Sequence, residues 1–207
     1  MALRKHSRVR IQQSLRRLVG KKVMVKLWRE NIDSHQIVGY VVDLSSDFVA
    51  IHVRNDDIIL DGYTIIRIQD ITLVEDKLKH GDFYLEALKL RGYAPKSPVG
   101  ICLNSTAAIL ESVNKHYPLV TVHRERTFKN ECSIGRIEKL TDKTVILQWL
   151  TPSAQWDGYS QRYRLTSITK IEFDGLYEDA LARVARIQPD DSGAYGEHLN
   201  LVSPQGA

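Results

Sequence analysis

The chain has 207 residues, 43% hydrophobic and 26% charged, with 29 Lys and Arg against 25 Asp and Glu for a formal charge of +4. That balance is ordinary for a soluble globular protein, and the length holds one medium domain or two small ones. No apolar run nears the ~20 residues that span a bilayer, the basic N-terminus lacks the apolar core of a secretory signal, and two cysteines, Cys102 and Cys132, cannot build a disulfide framework or by themselves a zinc site; the expectation is a cytoplasmic protein with no membrane association.

Residues 1–29 carry ten basic side chains, Arg4, Lys5, Arg8, Arg10, Arg16, Arg17, Lys21, Lys22, Lys26 and Arg29, and no Asp or Glu. The remaining chain has 19 basic and 25 acidic residues, a charge of −6. A cationic end on an acidic body suits an anionic partner, nucleic acid first, although a solvated helix face accounts for the same charges. Within this segment Ser7 caps a helix whose apolar positions Ile11, Leu15, Leu18 and Val19 follow the helical period, and Gly20 ends it. Strands are expected at 22–28, 37–44, 48–54, 63–68 and 71–75, with Ser45-Ser46-Asp47 and Asp61-Gly62 as turns. A second helix, capped by Asp82, covers 83–90 and stops at Gly92. The stretch 93–104, with Pro95, Pro98 and Gly100, reads as a linker. Then come a helix at 105–114, strands at 119–124, 132–140, 144–150, 159–165 and 169–173, and a helix at 176–187. From 189 to 207 the composition turns to Pro, Asp, Ser, Gly and Gln, which reads as a mobile tail.

The chain repeats itself at a spacing of about 96 residues. Residues 39–63 fall on 135–159 without a gap: Gly39 meets Gly135, Leu44 meets Leu140, Val49 meets Val145, and Asp61-Gly62-Tyr63 meets Asp157-Gly158-Tyr159. With one residue inserted, Arg67, Ile71, Thr72 and Glu75 then meet Arg164, Ile168, Thr169 and Glu172. An internal repeat with short strands closed by tight turns predicts two tandem small barrels. The expected fold is mainly β with flanking helices (α+β): two five-stranded barrels, each with a helix before and after. The first barrel, with the basic helix, occupies 1–92 and the second 105–188.

A short helix, then Leu18-Val19-Gly20-Lys21-Lys22-Val23-Met24-Val25-Lys26-Leu27, then a second strand bearing Gly39, resembles the opening of an Sm-like domain. Ile66-Arg67-Ile68-Gln69-Asp70-Ile71 is similar to that family's closing motif. The resemblance covers about 7–76 and, more faintly, 105–174. It implies an SH3-like small barrel and RNA binding through the loops between strands two and three and between four and five. Arg67 and Arg164 fit the Arg of the second motif, while Ile68 and Leu165 stand in place of its glycine. The loops Ser45-Ser46-Asp47 and Thr141-Asp142-Lys143 lack the expected Asn. Such barrels also serve as protein-binding and oligomer-forming modules.

Catalytic motifs are missing: no glycine-rich phosphate loop, no His-Glu-x-x-His, no Gly-x-Ser-x-Gly. The seven histidines, including His52 and His123 within strands, are scattered without ligand spacing. Cys102 has no evident base, Cys132 reads as packing, and Asp56-Asp57 reads as a solvated loop. No catalytic residue, metal ligand or cofactor is assigned. The repeated Asp-Gly-Tyr supplies a tight turn, with Tyr63 and Tyr159 either covering a barrel end or offering stacking platforms for bases. Trp156, beside the second such turn, is a candidate contact of the same kind.

Two functions from different classes follow. The first is a non-enzymatic nucleic-acid-binding protein using Arg4, Lys5, Arg8, Arg10, Arg16, Arg17, Lys21 and Lys22 with the loop residues Arg67 and Arg164. The second is a protein-interaction or self-assembling scaffold that pairs exposed barrel edges, as a homo-oligomer or with a protein partner. A ligand-sensing role in a regulator, as in WYL-type sensory domains, ranks below both.

Overall fold

The computed structural model describes residues 7–186, so Arg4, Lys5 and the expected tail lie outside the described residues. Helix α1 (Arg8–Leu18) starts at Ser7, whose hydroxyl accepts the Arg10 N–H at 3.4 Å. Gly20, at a left-handed φ of +68°, ends it. Arg16 and Arg17 in its last turn suit the negative end of the helix dipole. The apolar stripe Ile11, Leu15 and Leu18 is buried against Val25, Leu27, Val41, Val49, Ile51 and Ile66.

Ten strands follow in two groups. The first holds β1 (Met24–Arg29), β2 (Asp33–Leu44), β3 (Phe48–Arg54), β4 (Leu60–Arg67) and β5 (Leu73–Glu75). The second holds β6 (Val120–His123), β7 (Cys132–Leu140), β8 (Thr144–Leu150), β9 (Trp156–Arg164) and β10 (Lys170–Phe173). Between them lie α2 (Gly81–Leu90) and α3 (Thr106–His116), and α4 (Leu176–Val184) closes the described chain. His80, not Asp82, occupies the N-cap of α2, and Asp82 sits in its first turn. Ser105 caps α3 by accepting the Ala108 N–H at 3.1 Å.

The fold is mainly β with helices packed around it. All ten strands pair antiparallel in one open sheet, ordered β5-β1-β2-β3-β4-β10-β6-β7-β8-β9. Neither group closes on itself through strand pairing. The 3-10 turn Ile68–Asp70 swings the chain across to β1, so β5 pairs there and β4 keeps a free edge. β10 fills that edge, matching Tyr63, Thr64, Ile65 and Ile66 to Phe173, Glu172, Ile171 and Lys170.

The two groups bend alike. A register shift falls between Val41 and Asp43 where β2 meets β3, and between Ile137 and Lys139 where β7 meets β8. Such bulges curl a strand over its core. Gly39 and Gly135 sit two residues before them, where a Cβ would run into the backbone carbonyl of His52 or of Gln148. The strands cross too closely there for any side chain.

One continuous core runs through both groups, from Met24, Tyr40 and Ala50 to Val113, Val145 and Tyr163, with Leu88 of α2 inside it. The segment 93–104 lies along the first group: the Ser97 hydroxyl donates to the Val42 carbonyl at 2.7 Å. A buried ionic seam ties the groups together. Arg29, with no exposed side-chain surface, donates to both carboxylate oxygens of Glu125 at 2.7 and 2.8 Å. Burial alone would raise the Glu125 carboxyl, but the hydrogen bonds and charge of Arg29, helped by Thr169, hold it below its ordinary value. Beside this pair Arg126 bridges to Asp70, whose carboxyl burial pushes up against the opposing charges of Arg126 and Arg67.

Candidate nucleic-acid interface

Docking α1 through its apolar stripe leaves its basic side chains outside. Arg8, Arg10, Arg16 and Arg17 are exposed, as are Lys21 and Lys22 in the following turn. Arg17 meets Asp76 at 2.6 Å and Arg8 lies 3.7 Å from Asp47, both pairs at the surface where such contacts contribute little. Arg10, Arg16, Lys21 and Lys22 have no carboxylate partner among the described residues. At ~100° per residue, Arg10 and Arg17 share one flank of the helix and Arg16 lies on the other, so the charges spread over its outer face. Arg29, grouped with these by sequence, is in the core.

The turns that the resemblance singles out come together at one end of the first group. Ile68 donates its N–H to the Asp47 carbonyl at 2.8 Å, and Gln12 of α1 reaches the Ser46 carbonyl at 3.4 Å. In the second group Leu165 makes the corresponding bond to Lys143 at 2.9 Å. Arg67 is engaged there: its guanidinium donates to the Leu165 carbonyl at 3.0 Å, and to the Thr166 carbonyl and Thr106 hydroxyl at 3.3 Å. Partial burial lowers its pKa from the ordinary value, against the pull of Asp70. Arg164 is exposed at the end of β9. The two arginines therefore occupy matching strand ends in different states, one locked into the seam and one open.

The paired tyrosines part company more sharply. Tyr63 is 3% exposed, stacked between His52 and Phe173 with ring centroids 4.4 and 5.4 Å away. Tyr159 is 83% exposed. The reason is register. Tyr63 stands opposite His52, whereas the residue opposite Gln148, the position matching His52, is Ser160. The extra residue of the second copy falls before this point, not after it, so Tyr159 is turned to the other face. Trp156 is half-buried, with the Arg136 guanidinium 4.8 Å above its ring.

Arg136, Lys139, Lys143 and Arg162 were missed by the sequence reading, and all are exposed. The signal was there: Arg162 and Arg164 are two apart on a strand, hence on one face.

A cleft of about 400 Å³ lies between the loops 30–34 and 129–132 over His123, Glu125 and Lys170. Its floor is internally neutralised. His123 and Lys170 both bind Glu172, the latter at 3.1 Å, and these contacts outweigh burial to hold the Glu172 carboxyl at about 2. Partial desolvation and the Glu172 charge push the Cys132 thiol up, away from thiolate. His52 is buried in the aromatic stack.

Among the described residues no helix is long and apolar enough to cross a membrane. No protein-family model matches the chain, and neither does any curated protein or solved structure.

Proposed function

We propose that this is a non-enzymatic nucleic-acid-binding protein, built as two Sm-like units in tandem and working in the cytoplasm, where its two free cysteines fit a reducing compartment. The observation that carries the reading is α1. The helix is pinned through Ile11, Leu15 and Leu18, so it holds Arg8, Arg10, Arg16 and Arg17, with Lys21 and Lys22 just after, on a rigid outer surface. The sequence through residue 29 holds no carboxylate to neutralise them. Phosphate contacts from such a surface give salt-dependent affinity, with a slope of about −0.7 in log K against log salt per phosphate on a single strand. Titration of labelled RNA and single-stranded DNA at 50 and 200 mM salt tests it. Binding that weakens with salt, and weakens at least tenfold when Arg10, Arg16, Lys21 and Lys22 are all changed to Ala, supports the reading. No binding to either polymer at the lower salt refutes it.

Self-assembly is the second reading, favoured by the β4–β10 pairing. β9 holds the position in its group that β4 holds in the first, and pairs only with β8 among the described residues. A second copy offering β5 would meet β9 as β10 meets β4. Light scattering that finds only monomer up to high concentration excludes it.

A further inference from the structure

Strands β7, β8 and β9 turn one face to solvent, and its composition is unusual. The registers put Arg136, Gln148 and Ser160 in one cross-strand row, Lys139, Ile146 and Arg162 in the next, and Thr144 beside Arg164 in the last. Arg136, Lys139, Arg162 and Arg164 are all exposed. No carboxylate stands in these rows; Glu138, at the bulge, and Asp142, in the turn, lie outside them. Trp156 adds an aromatic ring under Arg136, whose side chain is also held by Gln148 at 2.8 Å.

The same face of the first group has the opposite character. Its rows are Tyr40, His52 and Tyr63, then Asp43, Ala50 and Ile65, then Phe48 beside Arg67. Six of these eight, Tyr40, His52, Tyr63, Ala50, Ile65 and Phe48, are buried. So where one group keeps Tyr40 and Ile65 as core, the other displays Arg136 and Arg162 to water. A sheet face can shed a covering layer by becoming polar with mixed charge. Four cations against one carboxylate, Glu138 at the bulge, instead make a net positive field that water alone does not require.

We propose that the β7–β8–β9 face is a docking surface for single-stranded nucleic acid, distinct from α1. It rests on the nucleic-acid reading above and assigns that reading a second contact surface. Two row steps of ~6.8 Å and three strands ~4.8 Å apart give a platform about 14 Å by 10 Å, lined by cations that contact the phosphate backbone. The guanidinium of Arg136, 4.8 Å above the centre of the Trp156 ring, is placed with that ring to receive a stacking base. A single strand can lay bases on such a plane, whereas a duplex keeps its base faces stacked inside.

The test uses the full chain, a fluorescein-labelled unstructured DNA 20-mer, its duplex, and a poly-Glu peptide as competitor. The variant Lys139→Gln/Arg162→Gln/Arg164→Gln changes side chains that have no ion-pair partner among the described residues, so its melting temperature stays that of the parent. Single-strand affinity is expected to fall at least tenfold and the salt slope to flatten by about 2, for three contacts at about 0.7 each. Trp156→Phe is expected to abolish most of the oligonucleotide-induced quenching of tryptophan emission. If the parent binds the oligonucleotide and the triple variant binds it equally well, while the α1 variant loses affinity, this proposal falls and the broader reading stands. If the parent binds no nucleic acid, both fall. Tighter binding of the duplex, or displacement by poly-Glu at equal charge concentration, also overturns the proposal.

Discussion

Replacing Glu125 by Gln strands one of the most deeply buried charges in the molecule. The Arg29 side chain has no exposed surface and Glu125 has 7%, and they meet through two hydrogen bonds of 2.7 and 2.8 Å. Removing one partner of such a pair costs about 3–5 kcal/mol, because the remaining charge stays desolvated. Here Asp33, 3.6 Å from Arg29 and 23% exposed, recovers part of that loss, which places the expected destabilisation near 3 kcal/mol. For a chain of this size that corresponds to a melting temperature lower by roughly 6–12 °C. Urea denaturation of the parent, Glu125→Leu, Arg29→Met and the double variant Arg29→Met/Glu125→Leu completes a cycle, with Glu125→Gln measured beside it. The double variant should regain most of what either single change loses, since an apolar pair of similar volume has no ions to desolvate. A loss below about 1 kcal/mol for Glu125→Gln, or a double variant no better than the worse single, refutes the view that this pair locks the two strand groups together.

Three further outcomes are open to the same instruments. Glu172 has its pKa lowered from 4.5 to about 2 by His123 and Lys170, so its contribution to stability is complete above about 4.5 and disappears as pH falls toward 2; Glu172→Gln should flatten the acid limb of the stability profile, and an unchanged limb contradicts the assignment. Gly39→Ala and Gly135→Ala should each cost about 2 kcal/mol in urea titrations, because the added Cβ meets backbone that a rotamer change cannot move. Tyr63→Ala should cost about 3–5 kcal/mol and Tyr159→Ala less than about 0.5, although both stand in the same tripeptide; equal effects would contradict the register.

Much of the local structure was legible. The spacing of Ile11, Leu15 and Leu18 located α1 and its buried side, and Ser7 and Ser105 marked the starts of α1 and α3. Alternation and turn residues located most strands to within a residue or two, since both signals are local. But Asp61-Gly62 and Asp157-Gly158, expected as turns, lie inside β4 and β9, and the hairpin turns fall just before them at 55–59 and 151–155. The joining of β4 to β10 was not legible: Thr64 and Glu172, hydrogen-bonded at 2.9 Å, lie 108 positions apart, and no periodicity encodes a partner at that distance. The same distance hid the state of Arg29, which reads as one more cation until Glu125, 96 positions on, is placed beside it. At the candidate interface, exposed cations on α1 followed from the apolar stripe by elimination. The face carrying Arg136, Lys139 and Arg162 needed the cross-strand register, because these residues are scattered along the chain and gather only when β7, β8 and β9 are laid side by side. The Asp-Gly-Tyr match misled for a related reason: identical letters aligned without a gap, while the extra residue had already moved the second tyrosine to the other side of its strand.

The position of β10 sets the order in which this sheet can be completed. It stands in the middle of the sheet, between β4 and β6, yet it is the last of the ten strands to leave the ribosome. Until it arrives, β4 and β6 each present an unpaired ladder, and the first group waits about a hundred residues of synthesis for its missing neighbour. Contacts of that sequence separation form slowly, and unpaired ladders invite pairing with other nascent chains. A chain cut before Lys170 would not lose a mere fringe; it would fall into two shorter sheets with four raw edges in place of two.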